Sequence, residues 1–133
     1  MLKIPKKIVE KIIKQGLSDA PLEACGILAG KDGQVEKIYL MTNRDNSNEH
    51  YTMVPEEQFR VVKDIRNNGF EMLAIYHTHP ETPARPSQED ISLALTPDVI
   101  YVIASLVDAK KPDIMGFLIE DGLVNKIELE ITE

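Results

Sequence analysis

The chain has 133 residues, with 15 Lys and Arg against 22 Asp and Glu, 43% hydrophobic residues and one cysteine. That length suits a single domain spanning residues 1–133, with enough chain to bury a core unaided by disulfides. The net charge of −7 argues against a nucleic-acid or anionic-membrane binder, and the lone Cys25 excludes a disulfide framework and every Cys-rich zinc module.

In chain order, Ile4, Ile8, Ile12 and Ile13 recur at helical spacing, with Lys3, Lys7, Glu10, Lys11 and Lys14 between them. This predicts an amphipathic helix from about Pro5 to about Gly16. Two apolar runs, Cys25 to Ala29 and Val35 to Met41, flank Lys31-Asp32-Gly33 and read as a β-hairpin. The polar, turn-rich stretch Thr42 to His50 reads as a loop. A second helix is expected from Pro55 to just before Gly69, with Phe59, Val62 and Ile65 as its core face. Phe70 to His77 then alternates as a strand, placing Leu73, Ile75 and His77 on one side.

After the proline-punctuated loop Pro80 to Pro86, Ser87 is expected to cap a short helix reaching about Leu95. Val99 to Val107 reads as a strand buried on both faces. Ile114 to Ile119 and Leu123 to Ile131 form a second hairpin around Asp121-Gly122. No run is long and apolar enough for a membrane helix, and charged residues interrupt the start of the chain. The expectation is a soluble intracellular α+β protein with a mixed sheet, two longer helices and a short one.

The chemistry concentrates in Tyr76-His77-Thr78-His79-Pro80 and Ser87-Gln88-Glu89-Asp90. Histidines at i and i+2 of a strand project from one face, so both rings can reach one ion. Asp90, eleven residues past His79, can return to add an oxygen. Two His and a carboxylate leave one position of a tetrahedral zinc free for water, the catalytic arrangement. Spacing alone leaves a plainer reading open, in which the histidines are ordinary half-buried residues. Likewise Ser87-x-x-Asp90 also fits a capping box at a helix start.

Glu23 adds a further element, an acidic residue leading into the otherwise apolar run Ala24-Cys25-Gly26-Ile27-Leu28-Ala29. With His77-x-His79-Pro80 and Ser87-x-x-Asp90 it resembles the JAMM signature of the MPN+ (Mov34/PAD-1) zinc metallopeptidases, in a minimal prokaryotic form. The resemblance extends over almost the whole chain. It implies an MPN-type mixed sheet flanked by helices, with a layering like that of cytidine deaminases.

It further implies that His77, His79 and Asp90 hold Zn2+, that Glu23 is the general acid/base and that Ser87 helps stabilise the oxyanion. The implied activity is that of a peptidase or isopeptidase acting after the C-terminal Gly-Gly of a ubiquitin-like or sulfur-carrier protein in the cytoplasm. A non-catalytic MPN scaffold is the alternative, but such members lose metal ligands that are all present here. A zinc deaminase would need H-x-E with P-C-x-x-C, and neither pattern occurs. Cys25 is expected to be a small buried hydrophobe and His50 a surface residue.

Overall fold

The computed structural model describes residues 1–133 as eight strands and three helices. In chain order these are β1 (Leu2–Pro5), α1 (Lys6–Asp19), β2 (Cys25–Lys31), β3 (Gln34–Met41), α2 (Pro55–Asn67), β4 (Glu71–His79), α3 (Gln88–Ser92), β5 (Ile100–Ser105), β6 (Asp113–Glu120), β7 (Leu123–Ile127) and β8 (Leu129–Thr132). All eight strands form one mixed sheet in the order β7-β6-β5-β4-β2-β3-β1-β8. The β4–β5, β1–β3 and β1–β8 pairs are parallel and the rest antiparallel. The α+β expectation holds.

The two edge strands, β7 and β8, are consecutive in the chain and separated only by Glu128. The sheet therefore curls until its edges meet. Leu129 of β8 packs against Gly116 of β6, and Leu2 donates its backbone N–H to the Glu128 carbonyl at 3.1 Å. The single closing strand expected from Leu123 to Ile131 is thus two strands serving opposite edges. Strand β1 escaped the periodicity because its parallel partners, β3 and β8, are distant in sequence.

Each face of the sheet carries its own core. Inside the curl, Ile8 and Ile12 of α1 pack against Leu2, Ile4, Leu28, Tyr76 and Val102. Fully burying one such aliphatic side chain is worth about 1.5–3 kcal/mol. Helix α1 runs three residues beyond Gly16, because that glycine serves packing and not termination. A Cβ at Gly16 would meet the Thr78 and Leu106 side chains at 2.8 Å. On the opposite face Cys25, Ile27, Ile75, Tyr101, Ile103 and Phe117 form the second core, covered by Ile65 and Val61 of α2.

Two expectations about facing residues are corrected here. Ile65 is buried, but Phe59 is 73% exposed and Val62 lies outward. The helix docks through Val61 and Ile65, four residues apart, and Phe59 lies about 160° around the helix from Val61. In β4, a bulge skips Leu73, since Leu28 pairs with Ala74 and Ala29 with Met72. Leu73 consequently packs with the α1 core while Met72 and Ile75 face the other. The extra residue shifts the alternation by one.

Candidate active site

Strand β4 ends at His79, where Pro80 cannot continue the ladder, and its last residues carry both imidazoles on the face of Ile75. The two Nε2 atoms lie 3.1 Å apart. Both rings are buried, and Tyr51 stacks on His77 with ring centroids 4.8 Å apart. The loop after β4 folds back through Pro83, whose carbonyl accepts the His79 Nδ1–H at 2.8 Å. That bond fixes the tautomer and turns the Nε2 lone pair toward its neighbours.

Helix α3 brings Asp90 to the pair. Its Oδ2 stands 3.2 Å from His77 Nε2 and 3.0 Å from His79 Nε2. The helix is only Gln88–Ser92, shorter than expected, with Leu93 already outside. Ser87 caps it through the reciprocal box, its Oγ accepting from Asp90 N–H and its own N–H donating to Asp90 Oδ2, each at 3.0 Å. The capping bond uses a lone pair of Ser87 Oγ. Its hydroxyl hydrogen remains free to donate, so the cap does not use up the hydrogen-bonding capacity of Ser87.

Glu23 approaches just ahead of β2. A carboxylate oxygen of Glu23 and a ring nitrogen of each histidine all lie within 4.8 Å of one another. The loop 42–52 holds its backbone from both sides. Glu23 donates its N–H to the Ser47 carbonyl at 2.8 Å, and its carbonyl accepts from Asn43 Nδ2 at 3.0 Å. Asn43 also bonds the His50 carbonyl and the backbone N–H groups of Asp45 and Thr52. Asn43, Tyr51 and Thr78 were missed at the sequence level. Only Thr78, between the two histidines, carried a local signal.

The electrostatics follow from burial and from this crowding. Burial raises the Glu23 carboxyl to about 8, with His79 pulling the other way. It also pushes the fully enclosed His77 below its ordinary value, more strongly than Asp90 pulls it up. Burial opposes charge on His79 too, but the hydrogen bonds to Asp90 and Pro83 outweigh it and hold that ring above its usual value. Burial works against Asp90 as well, yet both imidazoles hold its carboxyl well below the carboxylate range. Cys25 is buried, its thiol pushed up to about 12 by desolvation, and has no part in this chemistry.

These residues fit a divalent ion. Three ligands around a tetrahedral ion at zinc-like distances stand roughly 3.3–3.6 Å apart. The His77, His79 and Asp90 atoms form a triangle with edges of 3.1, 3.0 and 3.2 Å, a few tenths of an ångström tighter, so a small outward shift of these side chains would admit the ion. Beside it, Glu23 Oε1 is buried with no hydrogen-bond partner, an arrangement that a bound water would satisfy.

Residues 5–118 match the model of the prokaryotic homologs of the JAB domain. The chain belongs to that family. A CysO-cysteine peptidase of Mycobacterium tuberculosis is 33% identical over 135 residues, covering all of this chain and 92% of the relative. A desampylase of Pyrococcus furiosus is 32% identical over 102 residues, covering 77% of this chain and 72% of the relative. The solution structure of DSY2949 from Desulfitobacterium hafniense superposes with a TM-score of 0.92 at 43% identity, covering 100% of this chain and 94% of that one.

Proposed function

We propose that this JAB-family chain is a zinc-dependent peptidase that hydrolyses the bond after the C-terminal Gly-Gly of a ubiquitin-like or sulfur-carrier protein. In this proposal His77, His79 and Asp90 hold the ion, Glu23 is the acid/base, Ser87 is an oxyanion donor and residues 1–133 act as one domain. The observation that carries it is the convergence of two buried imidazoles with Asp90, beside a partnerless carboxylate oxygen of Glu23. The full set of donors disfavours a non-catalytic scaffold.

When bound, zinc supplies a Lewis acid and lowers the pKa of coordinated water to about 7. Kept ionised by the charge of the bound cation, which opposes the effect of burial, Glu23 takes a proton from the attacking water as the new C–O bond forms. It then delivers that proton to the departing nitrogen as the C–N bond breaks, yielding a carboxylate and an amine. The Ser87 hydroxyl donates to the oxygen on which charge develops. His79 keeps its orientation through Pro83, and His77 through the Tyr51 stack.

The Gly-Gly substrate class draws support from the resemblance and from the relative named a CysO-cysteine peptidase. Glycines suit the site because a backbone without side chains can approach a sheet edge closely. No helix is long and apolar enough to cross a membrane. A cytoplasmic setting is part of the proposal and suits the free, buried thiol of Cys25.

The test is hydrolysis of a ubiquitin-like carrier extended by one residue beyond Gly-Gly. Turnover should vanish with a chelator, return with stoichiometric zinc, and fall when Gly-Gly becomes Ala-Ala. Chelator-resistant cleavage, or equal cleavage of the Ala-Ala carrier, would refute the assignment.

A further inference from the structure

The Oε1 atom of Glu23 has no hydrogen-bond partner, so the backbone of this residue sets where its carboxylate stands. Both peptide groups that flank Glu23 are tied to one loop. Its N–H donates to the Ser47 carbonyl at 2.8 Å, and its carbonyl accepts from Asn43 Nδ2 at 3.0 Å. The same Nδ2 stands 3.4 Å from the Ser47 carbonyl. Asn43 therefore holds one side of Glu23 directly and the other through Ser47.

The remaining contacts of Asn43 converge on Tyr51. Its Nδ2 donates to the His50 carbonyl at 3.0 Å, and its Oδ1 accepts from the Thr52 N–H at 3.3 Å. Those two groups belong to the peptide bonds before and after Tyr51, whose ring stacks on His77. Oδ1 also accepts from the Asp45 N–H at 3.0 Å, so the hydrogen-bonding capacity of this buried amide is fully used. The preceding residue anchors it to α2. Thr42 donates its N–H and its hydroxyl to the Glu57 carboxylate at 2.9 and 2.7 Å.

We propose that Asn43 is a positioning residue for the reaction, fixing Glu23 relative to the imidazole pair with Tyr51 on His77 as its reference. The inference rests on the role of Glu23 given above. A carboxylate that must serve both the attacking water and the departing nitrogen tolerates little displacement, since about 1 Å can cost 10²-fold in rate. A plain brace of the loop would steady residues 42–52 without acting through Glu23, and that difference is measurable.

Asn43→Asp keeps the size and the acceptor but, when ionised, loses both donors and turns a carboxylate on the Glu23 and His50 carbonyls. The zinc-loaded full chain is assayed on the carrier extended by one residue beyond Gly-Gly. Zinc should stay at about one per chain, while kcat falls about 10–100-fold and KM changes less than about threefold. In a Glu23→Gln background the same substitution should cost less than about threefold, because effects carried by one group are not additive. Zinc-free protein gives a reading independent of activity. There the Glu23 N–H should exchange with deuterium at least about tenfold faster in Asn43→Asp, with Ile27 and Leu28 in β2 unchanged. If Asn43→Asp does not fold, Asn43→Ser, which keeps one donor, is read by the same criteria. Normal kcat, an equal loss in both backgrounds, or faster exchange throughout β2 would overturn the positioning role and leave the peptidase reading intact. Absence of cleavage by the wild type would overturn both.

Discussion

Thr78 and Ala24 are joined by two reciprocal hydrogen bonds. The Ala24 N–H donates to Thr78 Oγ1 at 2.8 Å, and the Thr78 N–H donates to the Ala24 carbonyl at 2.9 Å. Thr78 lies between the two histidines and Ala24 follows Glu23, so this clamp sets Glu23, the proposed acid/base, against the proposed metal-binding pair. Thr78→Val keeps the shape but leaves a buried N–H without a partner, a cost of about 1–3 kcal/mol. Bound zinc should be retained while kcat falls at least about tenfold with little change in KM, and Thr78→Ser should restore it. Unaltered kcat in Thr78→Val would show that the clamp is structural only.

The observed capping task of Ser87 and its proposed oxyanion task separate experimentally. Removing its cap with Ser87→Ala should cost about 1 kcal/mol. Removing the free hydroxyl hydrogen should also cut kcat by about 10²–10³-fold, the usual loss for one oxyanion donor. Chemical denaturation and steady-state kinetics on the same variant measure both. A loss of stability with normal kcat would leave Ser87 a helix cap and nothing more.

Glu23 gives a pH prediction with a definite sign. Burial lifts its carboxyl from an ordinary 4.5 to about 8 in the folded chain. Between those values the folded state holds a proton that the unfolded state has released, so stability falls as pH rises. Glu23→Gln cannot titrate. In excess chelator the variant should therefore gain stability relative to the wild type from about pH 5 to pH 8 and level off above. Urea midpoints across that range provide the check, and parallel curves would mean the carboxyl is not buried in neutral form.

Gly26 is required by close packing. A Cβ at that position would overlap the Tyr76 hydroxyl and the Tyr39 backbone carbonyl. The carbonyl belongs to the neighbouring strand β3 and cannot swing aside. Tyr76 is itself held, donating to Gln15 Oε1 at 2.6 Å. Gly26→Ala should cost at least about 1–3 kcal/mol, as overpacking does, measured as a lower thermal midpoint. A midpoint equal to that of the wild type would contradict this packing.

The local signals in the sequence were the reliable ones. Both Asp-Gly pairs make the expected turns, with positive φ at Asp32, Gly33, Asp121 and Gly122. The His77-x-His79 spacing gave two rings on one face because strand alternation is short-ranged and no bulge intervenes after Ala74. What stayed hidden depends on distant partners. The rotation of α2 that leaves Phe59 in solvent, the bulge at Leu73 and the break at Glu128 are set by what each segment packs on. At the site, Asn43 is an asparagine in a polar loop until the fold brings Glu23 onto its side chain.

Zinc content after purification and exhaustive dialysis tests the central claim most directly, compared across the wild type, His77→Ala, Asp90→Ala and Glu23→Gln. If His77, His79 and Asp90 hold the ion and Glu23 handles protons, wild type and Glu23→Gln should each retain about one zinc per chain, while His77→Ala and Asp90→Ala retain little. Full zinc in His77→Ala and Asp90→Ala would contradict the account.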